Sequence, residues 1–131
     1  MIREAEISDL PYFIKAAQEF IEETPFNLDP ESYLDQVIDF IQRDDTAIFT
    51  TGSGHCAIVL VPSLYDDKQI IAKVVSTWGS GGLQCFKVAA QWAFDNGASV
   101  LMADSYIEPR MKKFYQRFGM VQADIVYMKV I

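Results

Sequence analysis

Apolar residues recur every three to four positions over the first third of the chain, which is the spacing of one face of an α-helix. The first stripe starts near Leu10 and ends at Thr24, and the second starts at Pro30 and ends at Arg43. Pro30 follows an aspartate, and this pair is typical of the cap and first turn of a helix. With a short strand over residues 2–7, this third of the chain predicts the order β-α-α.

Short apolar runs rich in β-branched residues replace the helical spacing in the middle of the chain. Residues 47–51 and 55–60 flank the turn Gly52-Ser53-Gly54, which predicts a β-hairpin. Residues 69–76 show almost no polar alternation, so we expect a central strand that is buried on both faces. Three glycines then lie within residues 77–83, before the next apolar stripe begins.

The last third of the chain returns to alternating helices and strands. Apolar stripes predict helices over 83–93 and 109–118, with a buried strand over 99–103 between them and one or two final strands over 121–131. The complete order is β-α-α-β-β-β-α-β-α-β(-β). It predicts a single α/β domain over residues 1–131, with a mixed, twisted sheet of six to seven strands and about four helices on its two faces.

Acidic and basic residues are distributed unevenly along the chain. Residues 1–67 contain 14 acidic and three basic residues, a net charge of −11, whereas residues 68–131 contain four acidic and eight basic residues, a net charge of +4. A ligand with several phosphates would favour the second half, and a cationic partner would favour the first. The total net charge of −7 argues against nucleic-acid binding.

Several classes of protein are disfavoured by the sequence. No apolar run approaches the roughly 18 residues of a membrane span, and the charged N-terminal residues do not resemble a signal peptide, so we expect a cytoplasmic protein without a membrane partner. No Cys/His cluster has the spacing of metal ligands. The only histidine, His55, follows the hairpin turn. We therefore expect it at the surface, and a Ser-His-Asp or Cys-His site is nearly excluded.

The glycine segment Thr77-Trp-Gly-Ser-Gly-Gly-Leu83 is the strongest chemical signal in the sequence. It follows a predicted strand and precedes a predicted helix. Glycines allow close approach of the backbone, and a helix N-terminus offers free N–H groups and a partial positive charge. The segment therefore predicts a site for a phosphate-bearing cofactor.

The glycine segment is one of three motifs that together suggest a family. Gly79-Ser-Gly-Gly-Leu83 is followed by a helix with several alanines, Phe114-Tyr-Gln-Arg-Phe-Gly-Met120 lies in the last helix, and Ser8-Asp-Leu-Pro11 opens the first. With the element order, these motifs resemble the GNAT N-acetyltransferase superfamily, and the resemblance covers nearly the whole chain. The sequence is also similar to short, divergent GNAT-like proteins of tailed bacteriophages.

The resemblance implies an activity, a co-substrate and a set of site residues. It implies transfer of an acetyl group from acetyl-CoA to a primary amine, which attacks the thioester directly. Tyr115 matches the tyrosine that protonates the departing thiolate. The pantetheine arm would contact the strand backbone and the pyrophosphate would contact the loop N–H groups; the residues implied are Val74, Val75, Ser76, Gly79, Ser80, Gly81, Gly82 and Leu83.

The general base and the acceptor stay open at this stage. Candidates for the base are Lys73, Asp67, Asp104, Glu108 or a bound water, and Thr77 and Ser80 depart from the family's preferred loop residues. The resemblance places the first two helices beside the acceptor, and their acidity favours a cationic amine. The alternative is a catalytically eroded GNAT-fold protein with a binding, regulatory or phage-assembly role.

Two further questions depend on the sheet. A third hypothesis is an unrelated α/β binding module, which a sheet without a splay between its fourth and fifth strands would favour. The final strand, over residues 125–131, would leave a free edge that could pair with a second subunit. The sequence therefore allows a monomer or a homodimer.

Overall fold

Five strands form one mixed sheet in the computed structural model, which describes residues 1–24, 27–104, 109–123 and 129. A short 3-10 helix over Ile7–Asp9 precedes four α-helices. The elements in chain order are β1 (Arg3–Glu4), α1 (Leu10–Glu23), α2 (Pro30–Gln42), β2 (Thr46–Thr50), β3 (Gly54–Pro62), β4 (Ile70–Gly79), α3 (Gly82–Asp95), β5 (Ala98–Ala103) and α4 (Pro109–Arg117).

The described strands lie in the order β1-β2-β3-β4-β5, and among their pairs only β4–β5 is parallel. The predicted α/β class with a mixed sheet and four helices is confirmed. Five strands are present among the described residues, against the six to seven predicted for the whole chain. The sequence predicts one or two final strands over 121–131, but residues 121–123 are exposed and form no strand. Apart from Lys129, the rest of that segment lies outside the described residues.

Local sequence determines where the first helix begins. The carboxylate of Asp9 accepts a hydrogen bond from the Glu6 N–H at 2.8 Å and pairs with both terminal nitrogens of Arg3 at 2.7 Å. These bonds join β1 to the start of α1, and they lower the pKa of Asp9, chiefly through the hydrogen bond from Arg3.

Within the described ranges, no helix has the length and apolar character needed to cross a membrane.

The two faces of the sheet have separate cores. On one face, Phe86 of α3 packs with the rings of Phe114, Tyr115 and Phe118, at centroid distances of 5.3 to 5.7 Å. On the other face, α1 and α2 contribute the buried side chains of Phe13 and Val37. The sheet therefore has α3 and the α4 region on one side and the helical pair α1–α2 on the other, as expected for a layered α/β packing.

β4 continues well beyond the end of its partner β5. The two strands pair from Ile70 to Val74, and β5 ends at Ala103. β4 extends to Gly79 and remains paired with β3 over that length. Among the described residues, none pairs with the second half of β4 on the side where β5 lies in the first half, and we call this side the open edge of β4.

A β-bulge lies in β4 just past the residue that pairs with the end of β5. Ala57 of β3 pairs with Ser76, and the next residue, Ile58, pairs with Val74, so that Val75 is the extra residue. A bulge bends its strand and increases the local twist, and bulges are frequent beside active sites. This bulge directly follows Val74, the last residue of β4 that pairs with β5.

The prediction that β4 is buried on both faces is wrong. Ala72 and Val74 are buried, whereas Lys73 is exposed and Val75 is 55% exposed. The side chains alternate because only the α3 face is fully covered along this strand. The other face is left partly open beside α1 and α2.

Candidate functional site

The glycine segment forms the tight connection between β4 and α3. Gly79 and Gly81 have φ angles of 78° and 81°, a backbone conformation that favours glycine. A Cβ atom on Gly79 would lie 2.4 Å from the carbonyl oxygen of Ser53, and one on Gly81 would lie 2.6 Å from Cγ2 of Thr51. Two of the glycines are therefore required by both the backbone angle and the close approach of the β2–β3 turn.

The β2–β3 turn holds the glycine loop through hydrogen bonds. The Ser80 N–H donates to the Ser53 carbonyl at 3.1 Å, and the Thr51 hydroxyl donates to the Ser80 carbonyl at 2.9 Å. The N–H of Ser80, which the resemblance assigns to the pyrophosphate, thus has an acceptor within the protein. The Ser80 side chain and the N–H groups that follow it are the groups of this loop left to contact a ligand.

The N-terminus of α3 presents backbone donors without a side-chain cap. The first hydrogen bond into the helix runs from the Cys85 N–H to the Gly81 carbonyl at 3.0 Å. The N–H groups of Gly82, Leu83 and Gln84 precede that bond and so have no acceptor within the helix. No side chain caps this end. Aligned N–H groups at a helix N-terminus carry a partial positive charge that favours an anion.

Tyr115 lies on α4 in the aromatic cluster around Phe86. Its hydroxyl donates to the carbonyl of Asp104, just past the end of β5, at 3.0 Å. Burial raises the pKa of Tyr115 to about 12, so the phenol is protonated at neutral pH. The hydroxyl is therefore near the end of β5 and in the protonation state of a proton donor.

The candidate bases do not converge on one point. Lys73 is exposed on β4 before the bulge, and Asp67 lies in the loop that precedes β4, at the opposite end of the strand from the glycine loop. Asp104 is exposed directly after β5. Glu108 lies outside the described residues.

A cavity of about 220 Å³ lies between the α1–α2 pair and the half of β4 that extends past β5. We call it the α1–α2 cavity. Its lining is mostly apolar and includes Phe13, Phe20, Val37, Val75 and Trp78. Tyr33, Gln36, His55 and Ser76 supply the polar atoms, and no carboxylate belongs to the lining among the described residues.

His55 lies in the wall of this cavity, and the prediction of a surface histidine is wrong. The side chain is only 2% exposed. Its Nδ1 lies 2.9 Å from the Tyr12 hydroxyl oxygen and its Nε2 lies 3.1 Å from the Ser76 hydroxyl oxygen. Burial lowers the pKa of His55 to about 4, so the imidazole is neutral at pH 7.

The burial of His55 has a tertiary cause. The residue is on β3 between two paired strands, and the ring of Phe13 on α1 packs against it at a centroid distance of 5.1 Å. A position just after a turn is exposed only when no other element covers it, and here α1 does. The available sequence signal was that His55 begins an apolar run and lies two residues from Ala57, on the same face of the strand.

Comparison with known proteins gives a match at the level of structure. No protein-family model matches the sequence, and no curated protein matches it significantly. Among solved structures, a putative acetyltransferase from Agrobacterium tumefaciens matches with a TM-score of 0.78 at 19% identity, over 100% of this chain and 99% of that one. The chain has the GNAT fold.

Two further similar structures have named substrates or ligands. Glucosamine-6-phosphate N-acetyltransferase from Arabidopsis thaliana matches with a TM-score of 0.75 at 16% identity, over 99% of this chain and 97% of that one. An aminoglycoside N-acetyltransferase in complex with CoA matches with a TM-score of 0.72 at 16% identity, over 100% of this chain and 93% of that one. At these identities the likeness establishes the GNAT fold, and the hypothesis of an unrelated α/β module is wrong.

The GNAT fold brings some of the predicted site residues together. Val74, Val75 and Ser76 lie where β4 extends past the end of β5, and the glycine loop follows at the end of the same strand. The Tyr115 hydroxyl reaches the end of β5 from α4, on the face of the sheet that α3 covers. Sequence reasoning missed the α1–α2 cavity and the hydrogen bond between Tyr12 and His55 in its wall.

Proposed function

We propose that this chain is an acetyl-CoA-dependent N-acetyltransferase that transfers an acetyl group to a primary amine by direct attack, with residues 1–131 acting as one domain. The observation that supports it most is the open edge of β4, which begins at the Val75 bulge and leads to the uncapped N-terminus of α3. The similar structure that contains CoA has the same fold. The proposal also includes a cytoplasmic location and an oligomeric state of either monomer or homodimer.

The chain's own residues would bind the co-substrate along this strand and loop. Backbone groups of Val74, Val75 and Ser76 would pair with the amides of the pantetheine arm, as an added strand pairs with an open edge. The loop Gly79-Ser80-Gly81 would allow close approach, and the N–H groups of Gly82 and Leu83 would bind the pyrophosphate. Acetyl-CoA supplies the thioester that the amine attacks.

Tyr115 is the proposed proton donor to the leaving thiolate. Its phenol is protonated at neutral pH, as for an ordinary tyrosine, and burial raises its pKa further, to about 12. A positioned acid of this kind contributes typically about 10²- to 10⁴-fold to a rate. The amine would enter from the α1–α2 side, where the cavity borders the same stretch of β4.

Acetyl-CoA binding is the first test of the proposal. We expect isothermal titration calorimetry to give one binding site per chain at micromolar acetyl-CoA. Adenosine alone should bind much more weakly, because it lacks the pyrophosphate that the α3 N-terminus attracts. The absence of heat up to high micromolar acetyl-CoA would contradict both the site and the enzyme.

The substitution Tyr115→Phe tests the proton donor. We expect kcat to fall by about 10²-fold or more while the affinity for acetyl-CoA stays nearly unchanged, because only the hydroxyl is lost. Tyr65→Phe is the matched control, since Tyr65 is 98% exposed and removal of its hydroxyl should change neither quantity. An equally active Tyr115→Phe variant would remove Tyr115 from the mechanism.

A binding role without catalysis is the second candidate, and one observation favours it. Among the described residues no carboxylate lines the α1–α2 cavity, so a conventional general base is missing there. In that case the GNAT fold would present a ligand site or a surface to a partner, as in a regulatory or phage-assembly protein. Measurable acetyl transfer to any amine would count against this candidate.

A further inference from the structure

A chain of hydrogen bonds fixes one hydroxyl in the wall of the α1–α2 cavity. Tyr12 contacts Nδ1 of His55 and Ser76 contacts Nε2, at 2.9 and 3.1 Å. A neutral imidazole has one N–H and one acceptor nitrogen, so the chain can run in either of two directions. In both directions the Ser76 oxygen keeps at least one lone pair for a further donor.

Ser76 lies at the boundary between the cavity and the open edge of β4. It directly follows the bulge residue Val75, and its partner across the sheet is Ala57, which also lines the cavity. A donor bound to its hydroxyl would therefore sit inside the cavity and next to the strand edge to which we assign the pantetheine arm. This is the position that the nucleophilic nitrogen of an acceptor must occupy.

The size and lining of the cavity restrict what accompanies that nitrogen. An engineered apolar cavity of about 150 Å³ holds benzene, so about 220 Å³ accommodates one aromatic ring with a short side chain. An ammonium group would have no carboxylate partner among the described lining residues, which favours the neutral form of the reacting amine and disfavours an acceptor with a further charged group. Glu19, on the nearby α1, already accepts a hydrogen bond from the Trp78 indole at 3.3 Å.

We propose that the α1–α2 cavity binds a primary amine with a single apolar or aromatic body, and that the Ser76 hydroxyl, oriented by His55 and Tyr12, accepts a hydrogen bond from the neutral amine nitrogen. The inference rests on the proposed function for its location beside the thioester, and it names the acceptor class. It replaces the cationic acceptor that the acidic first half of the chain suggests. The acidic residues of α1 and α2 lie outside the described lining of the cavity, and except for the half-buried Glu19 they are exposed.

Direct binding of small probes tests this inference without acetyl-CoA. We expect calorimetry to detect binding of 2-phenylethylamine and of ethylbenzene, and none of spermidine. Ser76→Ala should weaken 2-phenylethylamine binding by about 3- to 10-fold, the effect of one net hydrogen bond, and leave ethylbenzene unchanged. Ser99→Ala, at an exposed serine of β5, is the matched control and should change neither.

The imidazole of His55 provides an independent readout of its positioning role. Because His55 is the only histidine, its ¹⁵N signals are assigned without ambiguity. We expect the Nε2 signal to shift when 2-phenylethylamine binds, and this shift to be lost in Ser76→Ala. Equal losses of 2-phenylethylamine and ethylbenzene affinity in Ser76→Ala, or tighter binding of spermidine than of 2-phenylethylamine, would overturn the inference.

Failure of the inference can be separated from failure of the proposed function. If acetyl-CoA binds and spermidine is acetylated while 2-phenylethylamine neither binds nor reacts, the acceptor class is wrong and the enzyme stands. If 2-phenylethylamine binds through Ser76 but acetyl-CoA does not bind, the amine site stands and the acetyltransferase does not. Absence of binding by every apolar amine overturns the inference directly.

Discussion

Gly79→Ala is expected to destabilise the protein by about 3 kcal/mol and to abolish detectable acetyl-CoA binding. A left-handed backbone costs a non-glycine residue roughly 1–2 kcal/mol, and forcing an atom into a packed site typically costs about 1–3 kcal/mol more. Both terms apply here, because Gly79 has a φ of 78° and its Cβ would lie 2.4 Å from the Ser53 carbonyl oxygen. That oxygen belongs to backbone, so the strain cannot be relieved by rotation of a side chain.

The consequence for the ligand follows from the same contact. The Ser53 carbonyl accepts the hydrogen bond from Ser80 that fixes the loop before α3. Displacing the turn from the loop would change the position of the Gly82 and Leu83 N–H groups, and binding of a phosphate by backbone depends on their alignment. Stability and acetyl-CoA affinity should therefore fall together.

Gly52→Ala is the control for the backbone angle alone. Gly52 has a φ of 88°, close to that of Gly79, but no atom lies within 4 Å of the position that a methyl group on it would occupy. We expect a loss of only about 1 kcal/mol and unchanged acetyl-CoA binding. Chemical denaturation measures the first quantity and calorimetry the second. Equal destabilisation in the two variants would show that the clash with the Ser53 carbonyl oxygen does not contribute to the loss of stability in Gly79→Ala.

The sequence predicts the elements of this fold better than it predicts their contacts. The helix start at Pro30 and the glycine connection before α3 depend on residues within a few positions of one another, and the structure has both. The bulge at Val75 depends on which residues of β3 face β4. No local pattern in 69–76 distinguishes a bulged strand from a regular one.

The candidate site also combines a feature that local sequence predicts with contacts that it does not predict. The glycine loop is a local motif, whereas the contact between Tyr12 and His55 joins residues 43 positions apart. The position of His55 after a turn predicts exposure, and the packing of α1 against β3 overrides that prediction. The acidic charge of α1 and α2 is similarly a poor predictor of the ligand of the cavity. Their acidic residues do not belong to the mostly apolar wall that the two helices contribute to it.

The burial of His55 makes stability depend on pH in a defined window. Its pKa is about 4 in the folded protein, below the roughly 6.5 of an unfolded histidine. Between these values the unfolded state binds more protons, so stability rises with pH and is lost as the pH falls from about 6.5 towards 4. Over that window the loss from this one group is about 3 kcal/mol.

A variant without the imidazole isolates that loss from other acid-sensitive groups. We expect the free energy of unfolding of the wild type to fall by about 2 to 3 kcal/mol more than that of His55→Gln between pH 7.5 and pH 4.5. Asp9, whose pKa is lowered by Arg3, contributes to acid sensitivity in both proteins and cancels in the difference. In the wild type, the imidazole signals of His55 should not titrate until the pH approaches 4. A titration midpoint near 6.5 for His55, or an equal pH dependence of stability in the two proteins, would mean that water reaches the imidazole. A hydrated His55 would not hold the Ser76 hydroxyl in the orientation that the amine site requires.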